Sequence, residues 1–97
     1  MLFTINNPSL TSNSLDSVLR IAPSGSPILL YENGVFIAKD GAKDAQKIKA
    51  ALKDHPVYAL DADLEARGIN KIIEGIKVIS YDGFVELVEK NEVVPWL

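Results

Sequence analysis

Polar residues follow each predicted strand of the chain, and these are the positions where chemistry could occur. In open α/β sheets ligands bind beyond the carboxyl ends of the strands, so such residues would share one edge. They are Asn6-Asn7, Glu32-Asn33-Gly34, Asp61 with Asp63, and Ser80-Tyr81-Asp82. No motif pairs a nucleophile with a base among them, and neither common glycine-rich phosphate loop occurs. The sequence therefore does not support a nucleotide site or an active site of its own.

Asp61 and Asp63 follow a central strand, where a phospho-acceptor receiver domain carries acidic residues. That site also needs an acidic pair after the first strand to hold magnesium, and this chain has Asn6 and Asn7 there. The metal would therefore lack charge. We expect Asp61 to cap the helix Ala62 to Arg67 instead, because an aspartate side chain accepts from free N–H groups at a helix start.

The chain contains no cysteine and a single histidine, His55. Without cysteine it can form no disulfide framework, no thiolate zinc site and no nucleophile from its own sulfur. His55 could act as a general base. It lies, however, in a Lys-Asp-His-Pro turn with no apolar packing around it in the sequence, so we expect a solvent-exposed loop residue.

Length and charge further restrict the kinds of protein and function that this chain can have. The 97 residues, 47% of them apolar, predict one domain over residues 1–97. A net charge of -3 argues against direct nucleic-acid binding, which needs a basic surface. No transmembrane segment or targeting signal is visible, so we expect no membrane association and a cytoplasmic location.

The elements that would position these residues alternate between strand and helix. Ile28 to Tyr31 is apolar at every position, which favours a parallel sheet covered on both faces. Strands are predicted at 2–5, 28–31, 57–60 and 76–80, with a short edge strand at 93–97. Helices are predicted from 14 to 22, from Asp40 or Gly41, at 62–67 and from Asp82. The pattern of residues 35–38 fits either an extended hairpin arm or the opening of a helix, and we favour a helical turn there. Right-handed crossovers then give an α/β sandwich with helices on both faces.

Trp96 lies beside Leu97 at a chain end. A large aromatic residue there either folds back on its own core or docks on another chain, and the sequence leaves both alternatives open.

Short segments spread over nearly the whole chain match one family pattern in order and spacing. They are Leu2 to Asn6, Asn13 to Ser17, Leu29 to Val35, Val57 to Leu60, Asp63 to Gly68, Ser80 to Val85, and Trp96-Leu97. On these segments the chain resembles the TusB/DsrH family, the smallest subunits of the TusBCD and DsrEFH sulfur-relay complexes. The resemblance implies a flavodoxin-like three-layer α/β sandwich with a mainly parallel sheet of four to five strands.

The resemblance also implies partners. It predicts a heterohexamer with two copies each of this chain, a TusC-like chain and a TusD-like chain. The Tus branch carries persulfide sulfur toward 2-thiolation of a tRNA wobble uridine, and the Dsr branch serves sulfur oxidation. Both branches remain open, as does a homo-oligomer of the isolated chain.

This chain departs from the family pattern at one position of chemical importance, Val18. DsrH-type chains carry a cysteine where this chain has Val18. The resemblance therefore implies the cysteine-free TusB-like role, without catalytic residues, cofactor or metal. Val18 shares an apolar stripe with Leu15 and Leu19, so it packs in the core or lines a subunit contact. The expected interface residues are Val18, Trp96 and Leu97.

A second function, different from that of a subunit in a sulfur-relay complex, remains as the alternative. The chain would then be a stand-alone, homo-oligomeric α/β module that binds a small ligand at the strand ends. Asn6, Asn7 and Asn33 would supply neutral hydrogen bonds there.

Overall fold

Strands and helices alternate along the chain in the computed structural model, which describes residues 1–6, 14–41 and 45–96. The strands are β1 (Leu2–Ile5), β2 (Ile28–Leu30), β3 (Val57–Leu60), β4 (Lys77–Ile79) and β5 (Val93–Trp96). The α-helices are α1 (Ser14–Ile21), α2 (Ala45–Ala51), α3 (Asp61–Ala66) and α4 (Tyr81–Lys90). A 3₁₀-helix spans Glu32–Ala38, at the place where the sequence predicts a helical turn.

The five strands form one sheet in the order β4-β3-β2-β1-β5, and every pair is parallel. The chain adds β2, β3 and β4 on one side of β1, and it then returns across the sheet to place β5 on the other side. Right-handed crossovers therefore put α1, α2 and α3 on one face and α4 on the opposite face. This confirms the predicted three-layer α/β sandwich with a mainly parallel sheet.

Alternate residues of the three central strands form a core under α1, α2 and α3. Their side chains are Phe3, Ile5, Ile28, Leu30, Val57 and Ala59. The helices contribute Val18, Ile48 and Leu64 to the same cluster. Because each residue of a strand points to the opposite face from its neighbour, Leu2 and Leu29 lie on the α4 face, where they are also fully buried.

Helix starts differ from the sequence prediction in three places. Leu60 takes the N-cap position of α3 and makes no side-chain cap, so the predicted cap at Asp61 is wrong. Asp61 is instead the first helical residue, and its Oδ1 accepts from the N–H of Ala62 at 2.6 Å. The α4 helix begins at Tyr81 rather than Asp82, because Ser80 caps it by accepting from the N–H of Gly83. The predicted start of the second helix at Asp40 or Gly41 is also wrong, because both residues lie in a turn in which Gly41 has a φ of 84°. The helix α2 is described from Ala45, and residues 42–44 lie outside the described residues.

Among the helices of residues 1–6, 14–41 and 45–96, none combines the length and apolar character needed to cross a membrane.

Candidate functional site

The carboxyl edge of the sheet is occupied by a hydrogen-bond network between the 3₁₀-helix and α3. Asp63 Oδ2 accepts from the backbone N–H of Glu32 at 2.6 Å. Glu32 has a φ of 49°, a left-handed conformation that is uncommon for residues other than glycine. The Asp63 carboxylate therefore holds the strained backbone that ends β2, and it does not stand open for a metal ion.

Arg67 ties the same two elements together from the end of α3. Its Nε donates to Asn33 Oδ1 at 2.9 Å, and its Nη1 donates to the backbone oxygen of Asp63 at 3.2 Å. The Nη1 atom also lies 3.5 Å from Asp63 Oδ1. Leu64 enters the core, and Gly68 has a φ of 65° where the chain leaves the helix. The segment from Asp63 to Gly68 thus fastens α3 to the 3₁₀-helix.

The 3₁₀-helix also lies directly against the end of β1. The N–H of Tyr31 donates to the carbonyl of Ile5 at 3.1 Å. A Cβ atom on Gly34 would lie 2.1 Å from that same oxygen, so only glycine fits there. This close approach closes the space beyond β1 on the side of the 3₁₀-helix.

These contacts bear on the residues expected to bind a small ligand. The Asn33 amide oxygen already accepts from Arg67, and Asn6 is half-buried. Asn7 lies outside the described residues. Within the described part of the chain, no group of three or more His, Cys, Asp or Glu residues could hold a metal ion. The edge is thus engaged in holding elements of the fold.

His55 lies at the opposite, amino-terminal edge of the sheet, and the expectation of a solvent-exposed loop residue is wrong. Only 4% of its surface is accessible. Its Nδ1 lies 2.9 Å from the carbonyl oxygen of Ser26, and its Nε2 lies 3.5 Å from Asp54 Oδ2. The ring therefore joins the loop before β2 to the turn before β3.

The three residues expected at a partner interface have different positions. Val18 is fully buried in the core, so its packing role is observed and its side chain has no exposed surface in the single chain. Trp96 pairs with Ile5 at the end of the edge strand β5, as the predicted edge strand requires, but its side chain lies outside the described residues. Leu97 also lies outside them. The role of these residues in a partner contact remains a prediction.

Sequence reasoning missed an exposed apolar surface on α4. Tyr81 is 66% exposed and Val88 is 37% exposed. Phe84 lies between two tyrosines, with ring centroids 5.8 Å from Tyr81 and 6.3 Å from Tyr31. The spacing of the apolar residues of α4 was the available signal. Together they span about 160° of the helix, which is wider than the stripe of roughly 100° that usually faces a core; they are Tyr81, Phe84, Val85, Leu87 and Val88.

Comparison with known proteins gives one consistent family. Residues 8–94 match the family model described as DsrH like protein. The chain is 37% identical over 92 residues to "Protein TusB" of Serratia proteamaculans, covering 94% of each chain. It is also 37% identical over 94 residues to "Protein TusB" of Escherichia coli K12, again covering 94% of each.

Solved structures share the fold. A protein of unknown function from Methanobacterium thermoautotrophicum superposes with a TM-score of 0.74 at 17% identity, covering 97% of this chain and 96% of the other. The solution structure of a Thermotoga maritima protein gives a TM-score of 0.62 at 26% identity and covers 95% of both chains. The first of these likenesses bears on the fold alone.

Proposed function

The chain belongs to the DsrH-like family, and from this premise we propose that it is a non-catalytic structural subunit of a TusBCD-like sulfur-relay complex. The observation that carries the proposal is the absence of any thiol in a chain that matches proteins named TusB over nearly its full length. A protein carries transferable sulfur on a cysteine thiolate, and this chain has none.

The position of Val18 supports the same conclusion. By the family resemblance, Val18 stands where DsrH-type chains carry their cysteine, and its side chain is completely buried among core residues. A persulfide formed there would need both a thiol and access for a donor. The reacting cysteine of the complex would therefore belong to a partner, which the resemblance identifies as the TusD-like chain.

The carboxyl edge of the sheet supports an architectural role as well. Asp63, Arg67 and Asn33, the polar residues most concentrated at this edge, bond to each other and to the backbone. Their bonds fix the 3₁₀-helix against α3, and these three residues form no pair of nucleophile and base. This edge is therefore engaged in holding the fold, as expected of a chain whose role is architectural.

The finer parts of the proposal come from the resemblance. The chain would assemble with TusC-like and TusD-like chains into a cytoplasmic heterohexamer that delivers sulfur for 2-thiolation of a tRNA wobble uridine. The net charge of -3 suits a subunit that leaves tRNA contact to other chains. Sulfur oxidation in a DsrEFH-like complex is the alternative pathway, and loss of wobble-uridine thiolation in a deletion strain would favour the tRNA pathway over it.

Co-expression with the TusC-like and TusD-like chains of the same genome tests the proposal. We expect the three chains to co-elute in size-exclusion chromatography at the mass of a heterohexamer. Labelled persulfide sulfur should then appear on a partner and not on this chain when the subunits are separated by mass spectrometry. Failure to co-elute, or label on this chain, would overturn the proposal.

A further inference from the structure

The α4 helix carries more apolar surface than the sheet covers. None of its ten residues is buried, although Gly83, Phe84 and Leu87 are half-buried. A Cβ atom on Gly83 would lie 3.2 Å from Ile79 Cβ, which places the Gly83 side of the helix against β4. Another side of α4 therefore remains open to solvent.

That open side is itself apolar. Tyr81, Val85 and Val88 are spaced by four and three residues, so they follow one another along one side of the helix. We name these three residues the α4 stripe. Tyr81 and Val88 are exposed and Val85 is half-buried. Apolar side chains grouped in this way on a helix are typical of a surface that another chain covers.

Acidic residues border the α4 stripe on the side away from the sheet. Asp82 and Glu89 are exposed, and they are seven residues apart, so they lie on the same side of the helix. Among the described residues, neither forms an ion pair. Glu86 continues this border, and Lys90 pairs with it at 2.8 Å. The hydrogen bond and the charge of Lys90 lower the pKa of Glu86.

We propose that the α4 stripe docks a different protein chain whose apolar contact residues are bordered by lysine or arginine. This inference rests on the proposed function, since it identifies the surface through which the subunit would join its complex. Basic residues on the partner would complement Asp82 and Glu89 and would speed association. A second copy of this chain fits less well, because an antiparallel two-fold contact through α4 would set the acidic border of one copy against the acidic border of the other.

Truncation of the stripe tests the apolar part of the proposal. The variant Tyr81→Ala with Val88→Ala keeps good helix formers in α4 while removing the exposed side chains. We expect it to weaken binding to the co-expressed partner subunits at least tenfold in biolayer interferometry. Ile21→Ala is the matched control, because Ile21 is 54% exposed at the end of α1 on the other face of the sheet. The control should bind like the wild type.

Charge reversal tests the border. Glu89→Lys should slow association several-fold at low ionic strength, and the effect should shrink at high salt because screening weakens attraction between exposed charges. Glu65→Lys is the matched control, since Glu65 is also an exposed helical glutamate but lies on α3. Circular dichroism and urea midpoints of each variant separate lost docking from lost folding, and Val88→Ala alone replaces the double variant if the latter unfolds.

The outcomes distinguish the two proposals. If the wild type binds its partners and both α4 variants bind equally well, the docking surface is wrong while the proposed function stands. If controls and α4 variants lose binding alike, α4 has no special role and the inference is also overturned. A homodimer of the isolated chain that the α4 variants abolish would make a second copy the occupant. If the wild type binds no partner, the proposed function fails and the docking proposal fails with it.

Discussion

The two helical faces of the sheet are packed to different extents. On one face Val18, Ile48 and Leu64 enter a continuous core with the strands. On the other face Leu2 and Leu29 are fully buried, yet no residue of α4 is itself buried. The central strands β1 and β2 are therefore buried on both faces, whereas every residue of α4 is half-buried or exposed. The difference indicates that stability resides mainly in the first face and that α4 retains surface for another chain.

We expect the largest difference in stability between two substitutions, one at a buried residue of the first face and one at an exposed residue of α4. Ile48→Ala should lower the free energy of unfolding by about 2–5 kcal/mol, because it removes fully buried atoms and leaves a cavity. Val88→Ala should change it by less than about 0.5 kcal/mol. Urea unfolding of both variants measures the contrast. Equal losses would show that α4 belongs to the folding core.

Two glycines mark where a helix comes close to a strand: Gly34 of the 3₁₀-helix lies against β1, and Gly83 of α4 lies against β4. Gly34→Ala would press a Cβ atom against the Ile5 carbonyl, and moving the 3₁₀-helix to relieve this should cost about 1–3 kcal/mol. A Cβ atom in Gly83→Ala would lie 3.2 Å from Ile79 Cβ, a distance that a small shift of α4 relieves, and alanine favours the helix. We therefore expect a change within about 1 kcal/mol. Thermal melts measure both. A larger loss at Gly83 would reverse the assignment of the tighter contact.

Substitution of His55 tests how much its bond to Ser26 stabilises the amino-terminal edge of the sheet. His55→Leu keeps an apolar body but removes the hydrogen-bond partner of the Ser26 carbonyl, so unfolding free energy should fall by about 1–3 kcal/mol. Lys53→Leu is a nearby control at an exposed position of the same turn, and it should have little effect. Urea midpoints compare the two variants. A midpoint for His55→Leu equal to that of the wild type would show that the histidine bond is not structural.

We expect the smallest changes in stability when either of two ion pairs is broken. Asp63→Ala loses the bond to the Glu32 N–H and the contact with Arg67, and it should destabilise the chain by about 1 kcal/mol. Glu86→Gln breaks the fully exposed pair with Lys90 on α4 and should leave the melting temperature unchanged. Calorimetry at low and high salt measures both. A melting temperature that fell more for Glu86→Gln would contradict the assignment of Asp63 as a structural anchor.

Local patterns predicted most elements, because strands such as Val57 to Leu60 and the 3₁₀-helix after β2 follow from short apolar runs and turn residues. Contacts between distant segments could not be predicted in this way. The bond from His55 to Ser26 joins residues 29 positions apart, so the charged turn around His55 gave no sign of burial. Asp63 and Arg67 likewise acquire their roles only when α3 meets the 3₁₀-helix. The strand order and the surplus apolar width of α4 became evident only from the packed sheet.

Hydrogen–deuterium exchange of this chain, alone and with its co-expressed partner subunits, most directly tests whether the two faces differ in function. We expect amides of residues 81–90 to gain protection in the complex, while those of α2 and β3 change little because they are already packed. Protection confined to the α1–α3 face, with α4 exchanging as fast as in the isolated chain, would contradict this expectation.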